Sequence, residues 1–459
     1  MAAPDSAMKP SPAGILALGA LEVALLASLG WWPGGRHTPV PALVLFGAAF
    51  VVYLLAASRQ SRAPLSRRNV WLLGLVGRAA LLPLLPYFSD DIYRYMWDGW
   101  VQLQGVNPFL HAPADPALAS IRTAWHALIN HPTVPTIYPP GAQLVFRALA
   151  LIGPAILVFK LAWVVCDLGV AWVIDRMTRD REDALPLLLY LWSPLVIVEV
   201  AWSGHLEPLA LLPLMLACLV DRRAGAPGDV ERTGTRPADF ASGTLLGLAA
   251  SVKLAPLAAL PALWRRRGWL AALSAVLVPF LLYALYADAG PMLFAGLREF
   301  ADRWEFNAGA YRILVTALGS AQLAKLAGTL IVVAIALEAA RRRWALDRAL
   351  LWTIGAALLL SPTVHPWYVL WVLPFAALFR RRAWIALTGL VFLAYWGLGA
   401  YRAGGEWRQP DWLPWLIYLP VYVLLAYDGL RPKRLARGGH VPGGEEEGEG
   451  SQPTSGPQK

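Results

Sequence analysis

An all-α polytopic membrane protein is the fold class this sequence predicts, and three observations predict it. Hydrophobic residues make up 57% of the chain and charged residues only 15%, whereas soluble domains carry about a quarter charged. The apolar residues fall in solid runs of about 17 to 22, long enough to cross a hydrocarbon core of roughly 30 Å. Short arginine clusters separate those runs. Solid runs exclude an outer-membrane barrel, whose strands alternate in short segments. The low charge excludes a disordered scaffold and an ordinary cytosolic enzyme. The formal charge of +10 is spread between apolar blocks and so marks membrane topology, with no basic face for nucleic acid. Cys166 and Cys218 both sit inside apolar runs, which excludes a disulfide framework or a zinc cluster.

The elements follow from the arginines. Clusters stand at Arg59, Arg62, Arg67 and Arg68, at Arg176, Arg179 and Arg181, and at Arg222 and Arg223. Triplets follow at 265–267, 341–343 and 380–382, and Arg431, Lys433, Arg434 and Arg437 close the series. Basic loops stay cytoplasmic because translocating them is costly. With every cluster on that side, spans are predicted at about 14–32, 41–57, 70–87, 155–175, 184–201, 206–220, 268–287, 321–338, 348–361, 367–379, 383–400 and 413–428. Both termini are then cytoplasmic. The block at about 241–263 begins and ends beside basic loops and carries Lys253 and Pro256 near its middle. It reads as a broken hairpin, and the bundle totals roughly 12–14 transmembrane helices. Residues 1–430 form one integral-membrane domain. The insert at about 224–238 reads as a flexible cytoplasmic loop, and 431–459, rich in Gly, Pro, Glu and Ser, as a disordered cytoplasmic tail.

Two outer loops are long, at about 88–140 and 288–310. Loops of that length tend to be functional or disordered, and the first is rich in Trp, Tyr, His and Pro, which argues against disorder. The first opens with Ser89-Asp90-Asp91-Ile92-Tyr93-Arg94 and continues through Trp97 and Asp98. Ser89 reads as the N-cap of a helix, with two acids in its first turn to suit the dipole. Arg94 lies four residues from both Asp90 and Asp98, so a salt-bridge ladder is one reading of this segment. A general base where a lipid headgroup meets water is the other. Leu118, Ile121, Trp125 and Leu128 repeat at helical spacing and predict an amphipathic helix over 118–130, lying on the membrane. Tyr138-Pro139-Pro140 reads as a rigid re-entry turn.

Further polar residues interrupt the apolar blocks: Arg78, His205 and Glu207, Lys253, Asn307 with Tyr311 and Arg312, and His365 followed by Trp367 and Tyr368. Ionisable groups at membrane depth cost roughly 2.5–3.5 kcal/mol each on insertion scales, so they default to function. Each has a plainer reading. The two histidines can serve helix ends, Lys253 can snorkel, and Arg78 can pair with Asp167 or Glu199. Trp97, Trp100, Trp202 and Trp367 read as an interfacial aromatic belt, some of them able to stack on sugar rings. Asp90, Asp91, His205, Glu207 and His365 all fall on the outer face of a topology built from basic residues alone.

The run from Ser89 through Gly99, with Asn107-Pro108-Phe109 and Tyr138-Pro139-Pro140, resembles GT-C-fold glycosyltransferases that use polyprenyl-phosphate sugars. It is most similar to the bacterial mannosyltransferase branch, related to lipoglycan and GPI-anchor mannosyltransferases. Gly204-His205-Leu206-Glu207 is similar to that group's Gly-His-x-Asp turn, with Glu for Asp, and Lys253 to Pro256 and His365 to Tyr368 also resemble it. The resemblance implies a hexose, mannose first, moved with inversion from a polyprenyl phosphate to a glycolipid or envelope-glycan hydroxyl. The active site would face outward from a bacterial plasma membrane. It implies Asp90 or Asp91 as the base. Arg94, His205, Glu207, Lys253, Arg312, His365, Trp367 and Tyr368 would contact phosphate, sugar or lipid. The Asp-x-Asp spacing of relatives is not matched, so either no cofactor or a divalent cation (Mg or Mn) on Asp90 and Asp91 is compatible. The alternative from another class is a flippase or transporter of lipid-linked sugars that performs no transfer.

Overall fold

The computed structural model describes residues 11–30, 39–181, 183–225 and 237–430. The expected tail at 431–459 and most of the expected insert at 224–238 lie outside them. The described residues are helical, and their only strand-type pairing is a parallel bridge between Phe306 and Thr363.

Six helices are long and apolar enough to cross a membrane: Pro12–Gly30, Val40–Gln60, Ile156–Met177, Leu185–Trp202, Ala321–Arg341 and Arg382–Gly404. A seventh is possible if Trp269–Ala284 and Ala287–Arg303, bent by 111°, form one span. The other predicted blocks are shorter helices, among them Arg67–Leu81, Glu207–Arg223, Pro237–Ala250, Leu346–Leu360 and Leu373–Phe379. Proline accounts for several of these breaks, because it removes a donor and clashes with the preceding turn. The third block shows it best. Its helix stops at Leu81 rather than near 87, with Pro83 and Pro86 just beyond. The carbonyls of Leu82 and Leu84 are instead taken by the buried Lys160 ammonium, each at 2.7 Å.

Leu185–Trp202 is the central element, almost wholly enclosed by its neighbours. It threads a core that also contains Phe159, Trp163, Leu211, Phe375 and Ile385. Arg78 is buried on its flank, ion-paired with Asp167 and donating to the carbonyls of Gly74 and Leu191 at 2.9 and 2.8 Å. Of its two expected partners the structure selects Asp167, whose other oxygen accepts from Tyr190 at 2.8 Å. Both carboxylate oxygens are satisfied, as a buried charge requires.

The basic clusters gather at one end of the bundle. Arg67 joins Asp175 and Thr178, Arg222 joins Asp347, Arg380 joins Asp183, and Arg266 and Arg267 share Asp221. The hairpin runs between the two ends. Pro237–Ala250 starts beside Arg267, breaks at residues 251–254, and returns through Ala255–Ala259 and Leu260–Arg267. Fourteen residues of helix span about 21 Å, which carries Lys253 to the far end.

At that end the first long loop is folded down tightly. Asp91–Leu103 is an amphipathic helix packed on Pro140–Ile152. Gly99 permits the contact, since a Cβ there would lie 2.3 Å from the carbonyl oxygen of Phe146. The expected helix over 118–130 is corrected. The chain makes two 3-10 turns, Pro116–Ile121 and His126–Leu128. Most of their apolar stripe turns inward: Leu118 is buried against Trp97 and Val101, with Ile121 and Trp125 packed alongside, while Leu128 stays exposed. Packing against another helix competes with the lipid surface for the same apolar face, and here it wins. Trp97, Trp202 and Trp367 are buried for the same reason, so they form no interfacial belt.

Candidate active site

The Asp91–Leu103 helix begins one residue later than expected. Asp90 occupies the N-cap position with no capping bond of its own, and the Ser89 hydroxyl accepts the Asp91 N–H at 3.2 Å. Of its two possible partners, Arg94 pairs with Asp98, Nε to Oδ1 at 2.8 Å. Asp98 is the buried knot of the loop. Its other oxygen accepts from Gln143 at 2.9 Å and from the Thr136 hydroxyl at 2.5 Å. Arg94 also donates to the Val134 carbonyl at 3.0 Å, which leaves its Nη2 buried with no partner among the described residues.

These contacts hold residues 130–139 against the acidic pair, and together they form one side of a cavity of about 650 Å³. Lys253 and Leu254, at the break in the hairpin, form its floor. Gly141 sets that approach: its N–H donates to the Ser251 carbonyl at 2.8 Å, and a Cβ there would stand 2.2 Å from Ser251 Oγ. Leu297, Phe300, Trp304 and Phe306 of the second long loop close another side. That loop is pinned by the bridge, Phe306 N–H to Pro362 O at 3.0 Å and Val364 N–H to Phe306 O at 2.8 Å. His365, Trp367, Tyr368 and Tyr395 line the back, and Ile354, Ala357 and Leu358 an apolar flank. The volume is in the range of small-molecule sites.

The two acids differ. Asp91 accepts a hydrogen bond from Asn130 Nδ2 at 2.7 Å. The Asp90 side chain accepts none among the described residues. Burial, and then the charge of Asp91 beside it, push the Asp90 carboxyl up to about 6, against the pull of Arg402 and His205. That is where a base working near neutral pH is most effective. Among the described residues no three His, Cys, Asp or Glu side chains converge to hold a metal ion. A divalent cation on Asp90 and Asp91 would complete its shell with phosphate and water oxygens.

Lys253 pairs with the buried Glu207, and its ammonium sits 4.7 Å from the centre of the Tyr368 ring. Three rings of the wall stack in a column with His205 behind them. His205 lies 3.9 Å from Trp367, Trp367 lies 4.4 Å from His365, and His365 lies 4.6 Å from Phe306. Burial drives the His365 imidazole down to about 3, so it is neutral. Burial also pushes the fully enclosed His205 down, but contact with Glu199 and the charges of Asp91 and Glu207 outweigh it and hold the ring above its ordinary value.

Of the residues singled out in the sequence, Asp90, Asp91, Arg94, Lys253, His365, Trp367 and Tyr368 line this cavity. His205 and Glu207 stand behind it, one under Trp367 and the other under Lys253. Arg312 is exposed and outside the wall. The structure adds residues that no motif flagged: Asn130, His131, Trp304, Glu305, Phe306, Tyr395 and Trp407 at the wall, and Glu199 behind it. His131 and Asn307 both hold positive φ, 44° and 48°. Backbone strain of that kind concentrates at functional sites.

Residues 136–362 match the model of glycosyltransferase family 87. The match covers just under half of the chain and indicates a glycosyltransferase of the GT-C type. It takes in Tyr138, Lys253, Trp304 and Phe306 of the cavity, while Asp90, Asp91 and the His365–Tyr368 turn flank it. No curated protein and no solved structure matches the chain.

Proposed function

We propose that this glycosyltransferase moves a hexose, with mannose as the first choice, from a polyprenyl-phosphate donor to a hydroxyl of a glycolipid or envelope glycan. The reading has inversion at the anomeric carbon and Asp90 as the base. It has the cavity on the outer face of a bacterial plasma membrane, with both termini in the cytoplasm. The observation that carries it is Asp90: a carboxylate at the wall of a large cavity, without a hydrogen-bond partner among the described residues, and raised to about 6 by burial and by Asp91.

The chemistry needs little else. Asp90 takes the proton of the acceptor hydroxyl. The hydroxyl oxygen forms its bond to the anomeric carbon as the bond from that carbon to the phosphate oxygen breaks. Phosphate leaves as an anion and needs no proton, so one base and nearby cations suffice. The partly exposed Lys253 and the buried, unpaired Nη2 of Arg94 are cationic donors at this wall. Donors fixed before the reaction stabilise developing charge better than water that must reorient. The apolar flank of Ile354, Ala357 and Leu358 suits the first isoprene units. Tyr368 lines the sugar's side of the cavity, and Trp367, stacked between His205 and His365, meets it only by its ring edge. Asp91, already bonded to Asn130, is the second choice for the base.

A flippase reading keeps the cavity and drops the chemistry. The two part in one assay: purified protein, synthetic polyprenyl-phosphate mannose and a panel of glycolipid acceptors, with and without chelator, beside Asp90→Asn and Asp91→Asn. A mannosylated product lost in Asp90→Asn supports transfer with that base. Full activity in both variants removes the acidic pair from the reaction. Donor binding with no product from any polyprenyl-linked sugar favours the flippase.

A further inference from the structure

Glu199 is a fully buried carboxylate that the transfer scheme above does not use. It sits in Ile197–Trp202, a turn of π-helix at the end of the central span. One extra residue per turn is uncommon, and such turns cluster at functional sites. The consequence is visible on both sides of the turn. The backbone oxygen of Glu199 accepts the His205 N–H at 2.9 Å and also faces His205 Nδ1 at 3.2 Å. Its carboxylate Oε2 lies 2.9 Å from the same Nδ1, an ion-pair contact, while the carbonyl has the hydrogen-bond angle. Its Oε1 accepts from the Tyr395 hydroxyl at 2.8 Å.

Each partner is the root of a wall of the cavity. His205 lies flat against Trp367, which lies flat against His365. Tyr395 packs 4.8 Å from Phe88, two residues before Asp90, and the Trp202 indole of the same π-turn donates to Leu85 O at 2.7 Å. A buried carboxylate is costly unless its partners are fixed, and here both partners point to the site. We infer that Glu199 is a positioning residue for glycosyl transfer, one enclosed carboxylate that fixes both the His205–Trp367–His365 ring column and the Tyr395 support of the Asp90 segment. It touches no substrate and acts through those rings. The inference rests on the transferase reading.

The test uses the full-length protein with polyprenyl-phosphate mannose and the acceptor that it modifies. Glu199→Gln keeps shape and one acceptor but removes the charge; Tyr395→Phe removes one hydroxyl at no cost in volume. Misplacement of reacting groups costs roughly tenfold to a hundredfold in rate. Glu199→Gln should therefore lose that much in kcat while its donor KM stays close to wild type, and Tyr395→Phe should lose less. Wild-type kcat in both variants, or a loss confined to KM, would overturn the inference. A second readout needs no turnover. In protein labelled with 15N-histidine, the ring signal that disappears in His205→Asn should titrate at a higher pH in wild type than in Glu199→Gln. Identical titration of that ring in both proteins would overturn the hold by Glu199. Inactivity of wild type with every donor would sink the transferase reading instead, and the histidine signals would still decide what Glu199 holds.

Discussion

Asp90→Asn should abolish transfer and at the same time make the protein more stable. The raised carboxyl is the reason. Burial and the neighbouring Asp91 take Asp90 from an ordinary 3.8 to about 6. That rise corresponds to about 3 kcal/mol by which the folded state disfavours the ionised form. The sign follows from proton binding. Between about pH 4 and 6 the folded state holds a proton that the unfolded state has lost, so stability falls as pH rises. Above about 6 both states are ionised and the cost is complete. Asparagine carries no charge at any pH and avoids the cost. Asp90 is only partly buried, so water relaxes around it and the gain expected at pH 8 is about 1–3 kcal/mol, worth a few degrees in melting temperature. Below pH 4 the gain should vanish. Thermal unfolding of both proteins in one detergent, from pH 4 to 8, checks this, with transfer measured in the same preparations. The wild-type rate should fall about tenfold per pH unit below about 6, as the base becomes protonated. Equal melting temperatures at pH 8 would refute the burial argument, and retained transfer would refute Asp90 as the base.

Lys253→Met should raise donor KM by at least tenfold and destabilise the fold by about 3–5 kcal/mol, because Glu207 is left buried and unpaired. Adding Glu207→Gln should restore the melting temperature without restoring donor affinity, which separates the two roles of the pair. Gly141→Ala should lower both stability and transfer, since its Cβ would stand 2.2 Å from Ser251 Oγ and 2.7 Å from Ser251 O; melting temperature and initial rate read the two effects. Arg312→Ala should leave transfer unchanged, because Arg312 is exposed and outside the cavity wall. A large loss there would mean that the second long loop reaches further over the substrate than its position in the structure allows.

The sequence by itself determined the solvent of this protein, and through it the class of fold. Apolar runs admit only helices at that length, since every backbone group must be satisfied within its own segment. Arginine clusters can be sorted to one side without knowing a single contact, and Arg67, Arg222, Arg266, Arg267 and Arg380 do gather at one end. The acidic pair was legible too, because two adjacent carboxylates at the edge of a long polar loop need a reason. Contacts between distant segments carry no such local signal. Nothing in residues 118–130 says that their apolar stripe meets Trp97 rather than lipid, because both accept the same face. Nothing near Arg94 chooses Asp98 over Asp90 at equal spacing. Helical periodicity does not announce the π-turn that sets Glu199 between His205 and Tyr395. Those choices depend on which surfaces the whole chain brings within a few ångströms. Only the tertiary structure decided that one acid is tied to Asn130 while the other stays free in the cavity wall.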